Sequence, residues 1–416
     1  MSLFGKDYPE TWRIDDWHDP WLPLPVRILN AVPDALARCL IALDENRLFA
    51  RARRETGLQD FGDEDFLIPF RIVLEDLNAA DNITMMGRVT ALTVLHEQLC
   101  ARLCLQDKLK HSPEIQQQRI DKPLIIAGLP RTGTTHLHNL LSTNTHLRYM
   151  PFWQTLYPVA PSLGEQDRRR RAADLAVWAA GYIVPLMKRM HEMQTDEPHE
   201  ELTICAIGYR SFFFEGIFQV PKYRAWYAGH SQEKGYEYLK QVLQILQTEP
   251  APGNKAEHAR WVLKSPQHIE HLQSMVNVFP DARVILTHRD PARAVLSIVT
   301  MILYGSRQVY RPTRLREEAS AWVDRLEQML RRSREQAKLL PPAQVMDVHF
   351  DAFMKNSTKT VRDILDFAEV PFSSDSEAAL KAHLESHTRD LHGRIDYRFE
   401  DLGLNEAEIR ERFSLY

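Results

Sequence analysis

Cysteine, glycine and net charge are all in short supply in this chain. Only 4 cysteines occur among 416 residues, which excludes a disulfide-stapled fold at this length. Cys100 and Cys104 stand four apart within an apolar helical pattern. They read as two buried small hydrophobes, since a metal site there needs further ligands that the neighbouring sequence does not identify. Glycine numbers 16 against 24 prolines, and neither an internal repeat nor a low-complexity tract is present. The formal net charge is −4, without the basic excess of a duplex binder, so no nucleic-acid partner is expected. A local basic cleft for a small anionic ligand remains open. Long hydrophobic runs are also missing. The longest, residues 175–187, is interrupted by Gly181 and Pro185 and falls short of the roughly 20 residues a membrane span requires. It lies between the arginines at 168–171 and Lys188–Arg189. That pattern reads either as a buried helix with solvated basic ends or as a peripheral contact with a membrane or apolar acceptor. The N-terminal residues show no charged-then-apolar signal region, so the cytoplasm is the expected compartment.

What is present is ordinary globular composition, 44% hydrophobic and 26% charged, enough to exclude disorder as the main state. Residues 25 to 118 carry helical periodicity. Val26, Ile28, Leu29, Val32, Leu36 and Leu40 follow one face, and Met85, Val89, Leu92, Val94, Leu95 and Leu99 another. A boundary falls near residue 119, giving a helical N-terminal extension (1–118) and a second unit (119–416). There the pattern changes to short apolar runs, each followed by a helix: 124–127, 261–263, 284–286 and 345–350. Alternating strands and helices indicate an α/β fold, a three-layer parallel sheet of nucleotide-binding type. Ligands on such sheets sit beyond the carboxyl ends of the strands.

The first strand runs into Gly128-Leu-Pro-Arg-Thr-Gly133-Thr134-Thr135. This is the Gly-x4-Gly spacing of a phosphate-cradling loop, placed between strand and helix. The helix N-terminus offers unpaired N–H groups and a partial positive charge to an anion, and Thr132, Thr134 and Thr135 add hydroxyls. Thr134 stands where an ATP- or GTP-hydrolysing loop has lysine, and the cation is Arg131, inside the loop. No strand ends in a metal-binding Asp; the second ends in Lys264 and the third in Thr287-His288-Arg289. Magnesium-dependent phosphoryl transfer needs that apparatus. The expected ligand is an anionic donor handled by basic residues, without metal. After the third strand, Asp290 caps a helix beginning at Pro291, and Ser297 lies seven residues past that cap on the same face. Arg289 and Ser297 can therefore contact one phosphate, or serve as a surface ion-pair partner and a back-bonded helix serine.

The loop, Leu-Lys-Ser-Pro-Gln-His at 263–268, and Thr-His-Arg-Asp-Pro with a serine eight residues after the arginine together resemble sulfotransferases that use PAPS (3′-phosphoadenosine 5′-phosphosulfate). The likeness is to the bacterial-type branch with a Pro-Arg-Ser/Thr-Gly-Thr-Thr loop, and it covers roughly residues 120–416, including the C-terminal run from Phe399. It implies a PAPS-dependent enzyme in which Arg131, Thr132, Gly133, Thr134 and Thr135 bind the 5′-phosphosulfate. Arg289 and Ser297 would bind the 3′-phosphate. His136 stands where many relatives stack an aromatic on adenine, and Lys264 where the family holds a lysine near the oxygen joining sulfate to phosphate. A cation there meets charge developing on the leaving group.

An acceptor hydroxyl also needs a base. Relatives with a histidine two residues past the lysine are not matched, because Pro266 stands there. Gln154 occupies the region where carbohydrate-acting relatives often carry a glutamate, and it cannot take a proton. The remaining cluster is residues 196–201, where His199 and Glu200 are the candidates and His268 and His138 the secondary ones. A charged helix start explains the same acidic residues. The aromatics Phe212, Phe213, Phe214, Phe218, Tyr223, Trp226 and Tyr227 read as core packing or as the wall of an acceptor site. The expectation is sulfuryl transfer to a hydroxyl, or an amine, of a small molecule, lipid or sugar. Its rivals are a nucleotide-dependent kinase with a degenerate loop and a non-catalytic nucleotide-binding protein of the same fold. Oligomeric state is not legible.

Overall fold

The computed structural model describes residues 10–159, 166–251, 255–256, 258–311, 314–387 and 392–416. Residues 1–9, read above for a targeting signal, lie outside this set.

The expected runs are strands: β2 (Leu124–Gly128), β4 (Arg260–Lys264), β5 (Arg283–His288) and β6 (Val345–His349). They form one parallel sheet with a short edge strand β3 (Leu147–Arg148), in the order β3-β4-β2-β5-β6. Two residues are too few to announce β3 by periodicity. β2 is central and wholly buried, which explains why it reads as a continuous apolar run rather than an alternating one. Its side chains nonetheless divide by the two-residue period of a strand. Leu124 and Ile126 pack with Leu137, Leu140 and Leu141 of helix α6 (Thr134–Ser142) and with Val361, Ile364 and Leu365 of the helix Ser357–Phe367. Ile125 and Ala127 face the other layer, where the helices Glu233–Gln247 and Pro291–Ser306 supply Leu239, Val242, Val295 and Ile298.

Before the sheet come α1 (Leu24–Asn30), α2 (Asp34–Leu40), α3 (Glu45–Thr56), α4 (Leu67–Ala79) and α5 (Met85–His111). The face assigned to residues 26–40 is interrupted. Pro33 fixes an extended conformation between α1 and α2, and Ile28, Leu36 and Leu40 end up exposed while Val26 is buried. α5 starts at Thr84, whose hydroxyl accepts from Gly87 N–H at 3.0 Å. The helices do not stand apart from the rest of the chain. Phe66, Phe70, Leu95 and Leu99 share one apolar cluster with Tyr209, Phe214, Phe218, Tyr223 and Tyr227. The aromatic run weighed as an acceptor wall is thus largely core. Its ring edges and faces are satisfied by each other: Tyr209 stacks on Phe214 at 5.2 Å and meets Phe70 edge-on at 5.1 Å.

A short strand near the start of the described chain, β1 (Thr11–Arg13), pairs in parallel with β7 (Arg394–Asp396), which follows the sheet. Arg189 donates to the carbonyls of both Glu10 and Arg394, at 3.4 and 3.3 Å.

Candidate active site

Every strand of the five-stranded sheet ends on the same edge, and the register places the motifs. Ile126 of β2 pairs with Lys264 of β4, and Gly128 pairs with Thr287 of β5. The loop leaving β2 therefore has Lys264 on one flank and the His288–Arg289 corner on the other.

The glycines have separate reasons. A Cβ on Gly128 would lie 1.9 Å from Thr287 Oγ1, so only glycine lets β2 approach β5 there. Gly133 holds φ at 87° as the N-cap of α6, and a Cβ would press on the Phe350 ring at 2.9 Å. Arg131 also takes a left-handed conformation, φ 68°, uncommon for a side-chain-bearing residue and frequent at functional turns. Thr132 differs from its expected role as an anion-facing hydroxyl. Its Oγ1 donates to Leu129 O at 2.6 Å and meets Thr287 Oγ1 at 2.7 Å, so the buried side chain anchors the loop to the sheet. Thr134 is buried in the first turn of α6, and Thr135 is partly exposed beside it.

Two clusters flank this helix start. On the β4 side, the Lys264 ammonium pairs with Glu200 and donates to Thr135 Oγ1 at 3.3 Å; the side chains of Lys264 and Glu200 are only 2% and 15% exposed. On the β5 side, Arg131 Nε donates to Ser297 Oγ at 3.1 Å, and its guanidinium also reaches Met190 O. Arg289 Nη1 donates to Arg131 O at 2.5 Å, with its guanidinium 4.2 Å above the Phe350 ring. Arg131, expected with the other loop residues at the 5′ end, thus stands with Ser297 and Arg289. Asp290 caps the helix Pro291–Ser306 as the sequence implies, accepting from Ala292 N–H at 3.0 Å. His136 is partly buried, its ring 5.4 Å from Phe353.

The base candidates separate cleanly. His199 and Glu200 both lie near Lys264, and His199 packs edge-on against Phe152 at 4.6 Å and His191 at 5.5 Å. Burial, together with charge on His191, holds the His199 imidazole well below its ordinary pKa. Burial and the Lys264 and Arg131 charges bring His191 to about 4. Burial works against ionising Glu200, yet Lys264, His191 and His199 outweigh it and lower the carboxyl to about 2. His268 and His138 are not on helix surfaces; both are buried. His138 contacts Val262 O at 3.3 Å, and burial with Lys264 nearby lowers it to about 3. His268 is enclosed between Glu201 and Tyr236: Nε2 meets Glu201 Oε1 at 2.5 Å and Nδ1 meets Tyr236 OH at 3.0 Å. Glu201 Oε2 in turn accepts the backbone N–H of Lys264 at 3.1 Å. Glu201, His268 and Tyr236 therefore form a polar chain beneath the lysine, fixing its strand end.

The segment after Lys264 is held by a buried ionic triad. Arg325 binds Glu215 and Glu270 at 2.7 and 2.6 Å, and all three side chains are at most 1% exposed. Sequence reasoning missed His191, Met190 O, Phe350 and the link that joins Glu201 and His268 to Tyr236. Only His191 had a local signal, a histidine eight residues before one already chosen.

Among the described residues no helix is long and apolar enough to cross a membrane. No curated protein sequence matches the chain. The fold is similar to that of sulfotransferase STF1 from Mycobacterium tuberculosis H37Rv, with a TM-score of 0.77 and 24% identity over 90% of this chain and 99% of that one. It is equally similar to sulfotransferase STF9 from Mycobacterium avium, with a TM-score of 0.79 and 23% identity over 90% of this chain and 96% of that one. A model of the sulfotransferase family matches residues 123–374, from the start of the central strand to beyond the last strand of the sheet, and by that match the chain belongs to the sulfotransferase family.

Proposed function

We propose that this sulfotransferase takes its sulfuryl group from PAPS and passes it to a hydroxyl, or an amine, of a small molecule, lipid or carbohydrate. The observation that carries the reading is the pair of cationic clusters flanking the start of α6, Lys264 with Thr135 and Glu200 on one side, Arg131 with Ser297 and Arg289 on the other. The donor set suits a bis-anionic adenosine. Arg289 and Ser297 would hold the 3′-phosphate through a fork of N–H groups and a hydroxyl. The α6 N-terminus, with Gly133, Thr134 and Thr135, would hold the 5′-phosphosulfate, with Arg131 between the two groups. Thr132 contributes by anchoring the loop, and His136 borders the adenine side. When bound, the donor supplies a sulfuryl group on a phosphate leaving group.

The chain's own residues then have distinct tasks. Lys264 meets negative charge as it develops on the leaving oxygen. Glu200 receives the proton of the acceptor hydroxyl. The two tasks are coupled. While Lys264 sits on Glu200 the carboxylate is a weak base; once the ammonium turns to the donor, burial dominates and the proton affinity of Glu200 rises. His199 and His191, neutral and adjacent, complete the wall of the acceptor pocket. Cationic side chains supply the stabilisation that a divalent ion supplies in phosphoryl transfer. Residues 119–416 form the catalytic unit and 1–118 its helical extension, working in the cytoplasm.

The test uses two nucleotides. Arg289→Ala should weaken binding of PAP (3′,5′-diphosphoadenosine) severely, and binding of adenosine 5′-phosphosulfate, which lacks the 3′-phosphate, hardly at all. Equal losses for both would overturn the assignment of Arg289, and no binding of either by the unaltered chain would overturn the donor.

A further inference from the structure

Cys100 and Cys104 read from sequence as a pair of buried hydrophobes. The structure separates them. Cys104 is buried in the core, whereas Cys100 is partly exposed and faces other polar groups. His96 lies one turn before Cys100 on the same face of α5, and Glu55 reaches across from the last turn of α3. Carboxylate oxygen, imidazole nitrogen and thiol sulfur all lie within 4.8 Å of one another.

The spacing is specific. Glu55 Oε2 stands 3.3 Å from His96 Nε2, and Cys100 Sγ stands 3.5 Å from the same nitrogen. In a tetrahedral zinc site, bond lengths of about 2.0–2.1 Å to oxygen and nitrogen and 2.3 Å to sulfur place such ligand pairs about 3.3 and 3.6 Å apart. Hydrogen bonding accounts for the cluster less well. One imidazole nitrogen carries at most one hydrogen, so it cannot donate to Glu55 and accept from the Cys100 thiol together.

We propose that Glu55, His96 and Cys100 form a binding site for a borderline-soft divalent transition ion, Zn²⁺ by its ligand set. On binding, the Cys100 thiol releases its proton to solvent and its sulfur bonds the ion. His96 Nε2 and a Glu55 oxygen complete three protein bonds, and water takes the fourth position on the solvent side. The Glu55 side chain is 62% exposed and the His96 side chain 6%, so the site has an open mouth over a buried base. The bound ion pins the end of α3 to the middle of α5. It has no part in the sulfuryl-transfer reading and stands or falls separately.

The experiment titrates the full-length chain with Co²⁺ and then displaces it with Zn²⁺. One Co²⁺ per chain should give a near-ultraviolet cobalt–thiolate absorption, lost in Cys100→Ala and kept in Cys39→Ala, which removes the exposed cysteine. Glu55→Gln alters an exposed side chain and leaves the fold intact; it should weaken Zn²⁺ binding by about tenfold or more. No cobalt–thiolate absorption at saturating Co²⁺, absorption that survives Cys100→Ala, or unchanged Zn²⁺ affinity in Glu55→Gln overturns the proposal.

Discussion

The ammonium of Lys264 is paired with the carboxylate of Glu200 in a nearly water-free corner between the end of β4 and the start of α6. The lysine charge keeps the buried carboxylate ionised. Neither can leave the contact without a new partner, because an unpaired buried charge is costly. This makes the pair a gauge of whether a donor has arrived.

Glu200→Gln should lower kcat by about 10²- to 10⁴-fold while PAP still binds. In the unaltered chain the Glu200 carboxyl, at about 2, is ionised at every ordinary pH, so kcat/KM has no acid limb from it. Its limb in kcat should appear at higher pH, because Lys264 has then turned away. Steady-state profiles of both parameters check this. A kcat/KM limb near neutrality that vanishes in His199→Gln would move the base to His199.

Acid should destabilise the fold before the carboxylates titrate. His138 and His191 are held neutral, at about 3 and 4, and His199 well below its ordinary value, burial being the main cause in each. Unfolded histidines titrate near 6.5. Between that value and about 4 the unfolded chain therefore binds more protons, so stability falls as pH falls through this window. Each histidine contributes up to about 1.4 kcal/mol per pH unit. Melting temperatures between pH 7 and 5 read the effect, and a flat profile would contradict the assignment of neutral buried rings.

Gly128→Ala should cripple nucleotide binding, since its Cβ would overlap Thr287 Oγ1 at 1.9 Å. Adding Thr287→Ala removes that atom and should restore part of the affinity. The rescue is incomplete because Thr132 Oγ1 would still be 2.9 Å away. PAP titration of the single and double variants reads the difference.

Ser297→Ala removes the hydroxyl that accepts from Arg131. PAP affinity should fall about tenfold, the weight of one hydrogen bond to a charged group, while thermal stability barely changes. A larger stability loss than affinity loss would make Ser297 a structural contact only.

Arg325→Met leaves Glu215 and Glu270 facing each other without their shared cation. The expected cost is about 3–5 kcal/mol, read by denaturant unfolding. The same variant should disturb Lys264, because Glu270 closes the turn that follows β4.

Much of this was legible because parallel strands buried on both faces write themselves as unbroken apolar runs. Gly128, Lys264 and Arg289 follow such runs directly, so their shared edge could be inferred without coordinates. The alternation inside β2 was not legible, since both its faces are apolar. Nor was the fate of the aromatics at 212–227: a ring that lines a pocket and a ring that fills a core look alike in sequence, and here the α4 and α5 side chains decide. His268 was a candidate from its motif, but its buried place between Glu201 and Tyr236 was not legible, because both partners are far away along the chain. Pro33, by contrast, was in plain view and still interrupts the face assigned to residues 26–40.

The pairing of β1 with β7 reaches further than two short strands suggest. Arg189 grips one carbonyl from each side at the start of that ribbon, and the next residue, Met190, offers its own carbonyl to Arg131 of the loop after β2. The β1–β7 pair is therefore tied, through two adjacent residues, to Arg131 in the loop that leaves the central strand, so the ribbon and that loop share one anchor although they stand far apart along the sequence.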